Sequence, residues 1–281
     1  GGAAHAEGVI TGTATAPEIT GNARGTQLAY DTVRLLGLQG TFQLLAPEWD
    51  LTKMRGDVKA DGVFIEVAGQ TLQRAVVTAK LDGARADVES VLEQPDRKLT
   101  ANASILMDPD TREASITRAD LVSAGETWQL APGVTGRIRQ TTGGLAIEDL
   151  RLVNGDQQLS IAGALANDES SPAADGIVVR AERVSVGGLF KILMGEERVK
   201  GLLGGEARIT GSLADPLVTS RFDIGEGTAD GVPFRSFSGK ADYKSGQAVV
   251  DVALEVDESA RLSIVGTVPV AAAEGGGETP L

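Results

Sequence analysis

Aliphatic and polar residues alternate along most of this chain, and that period of two constrains its fold more than any other feature. Val250, Val252, Leu254 and Val256 alternate with Asp251, Ala253 and Glu255, and Leu262, Ile264, Gly266 and Val268 resume the pattern after a break at Asp257 to Ala260. The same alternation runs through Ala75, Val77, Ala79 and Leu81, through Leu99, Ala101, Ala103 and Ile105, and through Leu159, Ile161, Gly163 and Leu165. It recurs in Ala207, Ile209, Gly211 and Leu213. Successive side chains of an extended strand point to opposite faces, so each run places aliphatic groups on one side and polar groups on the other. One-sided strands of this kind build antiparallel sheets. Turn chemistry separates the runs at Asp61-Gly62, Asp82-Gly83, Asn154-Gly155-Asp156, Asp230-Gly231 and Ser245-Gly246. Met107 to Thr111 reads as a hairpin tip between strands near 99–107 and 114–122. Turn signals about 8–12 residues apart predict around twenty strands. Two stretches read as short helices: Gly188 to Met194, with Ser185 as its cap, and Asp87 to Leu92. Asn167 to Gly176 and Glu93 to Lys98 read as loops, and Ala271 to Leu281 as a disordered Gly-rich tail.

The chain also repeats itself. Ile10-Thr11-Gly12-Thr13-Ala14-Thr15-Ala16-Pro17-Glu18-Ile19-Thr20 returns as Ile209-Thr210-Gly211-Ser212-Leu213-Ala214-Asp215-Pro216-Leu217-Val218-Thr219, with five of eleven positions identical. The offset of 199 continues without a gap to Val33 and Val232, Gly40 and Gly239, and Ile65 and Ile264. Related units are therefore expected near 8–67 and 207–266, within one elongated segment spanning 1–270. Duplication of this kind suits architectures in which a unit buries its apolar face only by stacking on neighbours.

Composition narrows the function classes. The 281 residues are 42% hydrophobic, enough for an ordered fold, yet include only six Phe, two Trp and two Tyr. The apolar surface is thus almost wholly Val, Leu, Ile and Ala. The net charge of −13 argues against a nucleic-acid partner and against adsorption to anionic lipid surfaces. Cysteine is absent, which removes disulfides, thiolate chemistry and Cys-based metal sites. No apolar run approaches the ~20 residues of a membrane-spanning helix. The chain opens at Gly1 without a signal-peptide pattern and reads as a piece of a longer protein.

Reactive constellations are hard to find. The sole histidine, His5, lies beside the N-terminus, where a third group to orient it is not expected. Asp108-Pro109-Asp110 opens like a calcium loop but lacks the central Gly and closing Glu. Gly201-Leu202-Leu203-Gly204-Gly205 lacks the Lys and hydroxyl of a phosphate loop and reads as a bend. The expectation is no enzyme, with no catalytic residue, no metal and no cofactor. What remains is a continuous aliphatic sheet face, read either as the core of an ordinary sandwich or as a groove for acyl chains.

A resemblance bears on that choice. Gly204-Gly205-Glu206-Ala207-Arg208-Ile209-Thr210-Gly211-Ser212-Leu213-Ala214-Asp215-Pro216, then Phe237-Ser238-Gly239-Lys240-Ala241-Asp242-Tyr243, then Leu262-Ser263-Ile264-Val265-Gly266-Thr267-Val268-Pro269-Val270 resemble the TamB family of translocation and assembly module proteins, within the AsmA-like group. Glu126 to Leu130, Leu150 to Gly163, and Ile10 to Tyr30 are similar to the same family's repeating segments, so the resemblance covers most of 8–270. It implies an elongated, curved antiparallel sheet, the U-shaped β-taco, lined with aliphatic side chains. About twenty strands spaced ~4.8 Å apart would make a trough on the order of 90–100 Å long. It further implies a periplasmic location in a full-length protein anchored to the inner membrane, and carriage of phospholipid acyl chains between inner and outer membranes. An alternative is an outer-membrane protein assembly module working with a β-barrel partner, which would dock through parts not in this chain. A structural β-solenoid with a closed core is another. Under the groove reading the lining residues are Ala75, Val77, Leu99, Ile105, Leu159, Ile161, Ile209, Leu213, Val250, Val252, Leu254, Val256, Leu262 and Ile264.

Overall fold

A computed structural model describes residues 1–30, 33–67, 70–108, 110–123, 125–168, 175–188 and 199–269. The protein is all-β and its strand pairings are antiparallel, with two short 3-10 turns at Pro47–Trp49 and Leu51–Lys53. It divides into two compact units, the first covering Gly1–Val122 and the second beginning at Ser123.

The first unit contains β1 (Ala3–Thr13), β2 (Ala16–Tyr30), β3 (Val33–Leu45), β4 (Arg55–Val67), β5 (Gln70–Asp82), β6 (Arg85–Glu93), β7 (Arg97–Met107) and β8 (Thr111–Ser123). From β1 to β7 each strand pairs with the next in chain order. This is the pairing expected when every link is a short turn. The 3-10 turns staple one rim of the sheet. Ala46 N–H donates to Pro17 O, Glu48 N–H to Thr15 O, Trp49 Nε1–H to Ala14 O and Gly83 N–H to Met54 O.

Two expectations fail in this unit. Asp61-Gly62 lies in the middle of β4, not at a turn: Asp61 pairs opposite Gln39 and Val76, and Gly62 leaves room for Ile65, whose Cδ1 would lie 3.0 Å from an added Cβ. Asp87 to Leu92 is strand β6, not a helix, because ladders to β5 and β7 on both sides outweigh a local 88, 91, 92 spacing. His5 sits within β1 and is well exposed.

A crease crosses four strands. The ladders joining β2, β3, β4 and β5 each omit one pair, at Gln27, Leu36, Phe64 and Gln73. Gln27 and Phe64 have positive φ of 51° and 50°. Across the crease, Gly25 and Leu28 fall on the same face three residues apart; a Cβ on Gly25 would lie 2.4 Å from Leu28 Cδ1. Leu35, Ile65 and Leu72 follow Leu28 in register. The step of three preserves the aliphatic face while the strands bend.

The second unit holds β9 (Glu126–Leu130), β10 (Gly136–Thr141), β11 (Gly144–Asn154), β12 (Gln157–Ala166), β13 (Gly176–Ser185), β14 (Val199–Lys200), β15 (Leu202–Gly211), β16 (Pro216–Ile224), β17 (Gly227–Ala229), β18 (Val232–Phe234), β19 (Ser236–Lys244), β20 (Gln247–Glu255) and β21 (Arg261–Pro269). The main ladder runs β10, β11, β12, β13, β15, β16, β19, β20, β21, with β9 also against β11. Bulges sit at Ile147/Leu150 and Ala181/Val184, where Asp149 and Arg183 take φ of 50° and 55°. Strands β14, β17 and β18 form a small separate sheet. Asp230-Gly231 and Ser245-Gly246 are tight turns with positive φ at both residues, as a two-residue hairpin requires. Of the helix expected at Gly188 to Met194, Leu189 onward lies outside the described residues. A helical turn occupies 186–188, and Ser185 Oγ accepts the Gly188 N–H at 3.1 Å. The tail 271–281 also lies outside them.

The sequence repeat corresponds to a structural one. In β1–β2–β3 the pairs are Ile10↔Ile19, Gly8↔Gly21, Ile19↔Leu44 and Gly25↔Leu38; in β15–β16–β19 they are Ile209↔Val218, Ala207↔Ser220, Val218↔Tyr243 and Ile224↔Phe237. Every pair is displaced by 199. The linking turn is built alike: Thr13 Oγ1 accepts Ala16 N–H at 3.1 Å, and Ser212 Oγ accepts Asp215 N–H at 3.1 Å. The correspondence ends after Lys244, because β3 leads into the 3-10 turns whereas β19 turns directly into β20.

Gly12 and Gly211 are equivalent, with φ of 85° and 80°, and an added Cβ would lie 2.6 Å from a backbone oxygen in each. Gly12→Ala and Gly211→Ala should each cost about 1–3 kcal/mol, read from urea unfolding midpoints. Losses within experimental scatter at both would contradict the assigned hairpin geometry.

Candidate functional site

Residues directly opposed in an antiparallel ladder share a face, so the registers decide which side chains meet. In the first unit one row reads Ile10, Ile19, Leu44, Gly56, Leu81, Ala86, Ile105 across seven strands. The next two rows contain Phe42, Val58, Ala79, Val88 and Ala103, then Ala23, Ala60, Val77 and Ala101. The opposite face carries Arg24, Gln39, Asp61 and Val76 in one row, and Thr41, Lys59, Thr78, Glu89 and Asn102 in another.

The aliphatic face of this unit is not a closed core. Among the described residues, its buried apolar side chains are Pro17 beside the turn, Ala46 and Ala86. Phe42, Val58, Val77, Val88, Leu99 and Ile105 are half-buried, while Ile10 is 63% exposed on the edge strand. A fully covered sheet face would bury the large side chains before the alanines.

The second unit has the same one-sided sheet, covered in part: Trp128, Leu165 and Ile177 are buried away from a second buried cluster around Ile224. Leu203, Ile224, Phe237 and Leu254 form a row in register, and Val186, Val199, Ala229 and Phe234 pack over it. Val184, Ile224 and Phe234 are 0%, 6% and 5% exposed, and the rings of Phe222 and Phe237 meet at 5.4 Å. The helical turn and the small β14–β17–β18 sheet thus build a true core there. Beyond it Val250 and Val252 are half-buried, and Leu262 and Ile264 on β21 are exposed.

Of the residues expected to line a groove, Ala75, Val77, Leu99 and Ile105 share one face of the first unit, since Ala75 and Leu99 both align with Leu92. Leu159, Ile161, Ile209, Val250, Val252, Leu254, Leu262 and Ile264 share one face of the second. Leu213 and Val256 do not join them within a strand. Leu213 follows the end of β15, is exposed, and donates its N–H to Ala166 O. Val256 follows β20 and donates to Ala260 O across the Asp257–Ala260 turn. Period-two counting passed over Leu28, Leu35, Ile65, Leu72 and the Ile147/Leu150 pair, because a three-residue step breaks the period without changing the face.

The polar face is knit by ion pairs. Arg74 grips Asp61 through Nε at 3.0 Å and Nη2 at 2.6 Å, and this guanidinium holds the Asp61 carboxyl below the usual carboxylate range. Shallow hollows open between the long side chains here; one of about 370 Å³ is lined by Asn22, Arg24, Gln39, Thr41, Lys59 and Asp61. Arg24, Lys59 and Asp61 bring charge to this hollow, which disfavours hydrocarbon there. Among the described residues no group of three His, Cys, Asp or Glu side chains converges on a metal-sized space. No described helix is long and apolar enough to cross a membrane. Compared with known proteins, the chain matches no family model, no curated protein and no solved structure.

Two measurements follow from this geometry. Ile224→Ala, in the covered core, should cost about 2–4 kcal/mol, and Ile105→Ala, on the uncovered face, about 1 kcal/mol. Equal costs would mean that the first unit's face is covered. Because Asp61 has its pKa lowered by folding, its contribution is present above the ordinary carboxylate range and is lost as pH falls through its folded value. Asp61→Asn should therefore cost about 0.5–1 kcal/mol at neutral pH, and the difference from wild type should shrink below pH ~4. A pH-independent difference would contradict the ion pair.

Proposed function

We propose that the aliphatic face of this sheet binds lipid acyl chains without chemistry, as a periplasmic segment along which phospholipids pass between inner and outer membranes. The observation that carries this reading is the row-by-row continuity of half-buried aliphatic side chains over β2 to β7, continued by the exposed Ile10 of β1, with the large ones left uncovered. Seven strands, with six spacings of ~4.8 Å, give that face a width of about 29 Å. This is comparable with the ~30 Å hydrocarbon thickness of a bilayer, room for an extended acyl chain.

The energetics suit holding and sliding together. Each methylene moved from water onto such a face gains ~0.8 kcal/mol at most, so a whole chain is held firmly. Val, Leu, Ile and Ala walls offer nearly the same contact at each register, so a one-step displacement exchanges like for like. Small residues such as Gly40, Ala60 and Ala101 keep the middle rows shallow. Large exposed apolar surface is costly in water, and an occupant of matching chemistry relieves that cost. The resemblance to TamB-like segments supports the same reading, and with it the bridging role and the inner-membrane anchor of a full-length protein.

Photo-crosslinking amino acids placed in cells at Val77, Ile105 and Val252 should yield phospholipid adducts, while Thr78, Lys80 and Asp251 on the polar face should not. Adducts mainly to nascent outer-membrane proteins from the aliphatic positions would favour the assembly-module reading instead. Intramolecular adducts alone would indicate a closed core.

A further inference from the structure

We propose, building on the acyl-chain reading of the sheet face, that the rim formed by the link between β3 and β4 is a contact site for a zwitterionic phospholipid surface, with the exposed indole of Trp49 as its anchor. The structural repeat shows what is unusual about this link. Leu45 ends β3, and Lys244, 199 positions later, ends β19. After Lys244 the tight turn Ser245-Gly246 suffices, and Lys244 pairs with Gln247 of the next strand. Leu45 likewise pairs with the next strand, opposite Arg55, yet residues 46–54 stand between them. The same hairpin position is therefore closed by Ser245-Gly246 in one copy and by a structured link in the other. Closing the sheet does not require the link, and connections that exceed what closure needs are where binding residues gather.

The link holds its tryptophan outward. Glu48 and Trp49 have consecutive positive φ of 56° and 59°, a conformation that residues with bulky side chains rarely adopt. Backbone bonds from Glu48 N–H to Thr15 O and from Trp49 N–H to Ala46 O maintain it. Trp49 Nε1–H donates to Ala14 O at 3.2 Å, so the single polar group of the indole is already satisfied. Trp49 nevertheless stays 57% exposed, whereas Trp128, the other tryptophan, is 3% exposed. A large apolar ring facing water beside charged neighbours suits the boundary between headgroups and hydrocarbon, where tryptophan is enriched. The charges around it match a surface without net charge. On the link and the adjoining β5–β6 turn, Glu48, Asp50 and Asp82 are balanced by Lys53, Arg55 and Arg85, against −13 for the whole chain. Lys53 pairs with Glu48 and Asp50, and Arg55 Nε meets Asp82 Oδ1 at 3.0 Å. The aliphatic row through Ile19, Leu44 and Leu81 lies directly inside this rim, with Leu44 just before Ala46 and Leu81 just before Gly83. A rim seated among headgroups would thus bring the first aliphatic row to the acyl boundary.

One covered and one exposed tryptophan make the test optical. Phosphatidylcholine vesicles added to the full chain should shift the Trp49 emission to the blue and shield it from acrylamide, and Trp49→Phe should remove that change from the spectrum. Trp49→Ala should weaken vesicle binding, read by co-flotation, about tenfold. Replacing residues 46–54 by Ser-Gly, the turn of the second module, should abolish binding while β-sheet circular dichroism persists; if that replacement costs the fold, Trp49→Ala decides alone. No blue shift, unchanged vesicle binding in Trp49→Ala, or a stronger response to vesicles rich in phosphatidylglycerol would each overturn the proposal. So would an equal shift with a monomeric short-chain phosphatidylcholine, since Trp49 would then report lipid on the sheet face instead of a surface. Lipid adducts at Val77 and Ile105 without a Trp49 response would refute this contact and leave the acyl-chain reading standing. A Trp49 response to vesicles without adducts would do the reverse.

Discussion

Direct opposition of residues across antiparallel ladders is the constraint on which everything else here depends. Side chains alternate along each strand, and opposed residues share a face, so a register fixed at one hairpin propagates across the sheet. A one-residue slip between β3 and β4 would set Phe42 and Leu44 against Lys59 and Asp57 rather than Val58 and Gly56. The chain guards this register at its links. Thr13 and Ser212 close equivalent turns, Gly12 and Gly211 supply the positive φ those turns need, and the 3-10 segment ties three strand connections into one rim.

That constraint also explains what the sequence discloses and what it hides. The period-two runs at 75–81, 99–105, 159–165 and 250–254 are strands because alternation is a local signal that pairing reinforces. The hairpin at Asp108, where the N–H bonds Thr111 O, is legible in its turn residues. Failures fall where a long-range partner decides. Val88, Val91 and Leu92 have helical spacing, yet ladders on both flanks hold them extended. Asp61-Gly62 has the chemistry of a turn, yet Arg74 on the neighbouring strand fixes Asp61 in the sheet. The crease through Gln27, Leu36, Phe64 and Gln73 is invisible locally because it is an alignment of four strands. Leu213 and Val256 continue an alternation past the point where the ladder stops.

The two units bury their aliphatic faces to different extents. In the second, Val186, Phe234 and the small sheet cover the row through Ile224, an ordinary core with the Phe222–Phe237 contact beside it. In the first, the equivalent row passes through Gly25 and Leu38, and the large aliphatic side chains stay half-buried. Leu165 and Ile177, on the same face at the other end of the second unit's strands, are buried as well. The described rows of this face are mostly Val, Leu, Ile and Ala, and the Ser90 and Ser220 hydroxyls that share it donate to the backbone carbonyls of Ala101 and Ala241.

The most direct test of this account is native mass spectrometry of the protein extracted gently from cells. The account requires phospholipid to remain bound to the wild-type chain, and to be lost from a Val77→Asp, Leu99→Asp variant that keeps its β-sheet circular dichroism. A lipid-free wild-type chain, or equal lipid on both proteins, would contradict it.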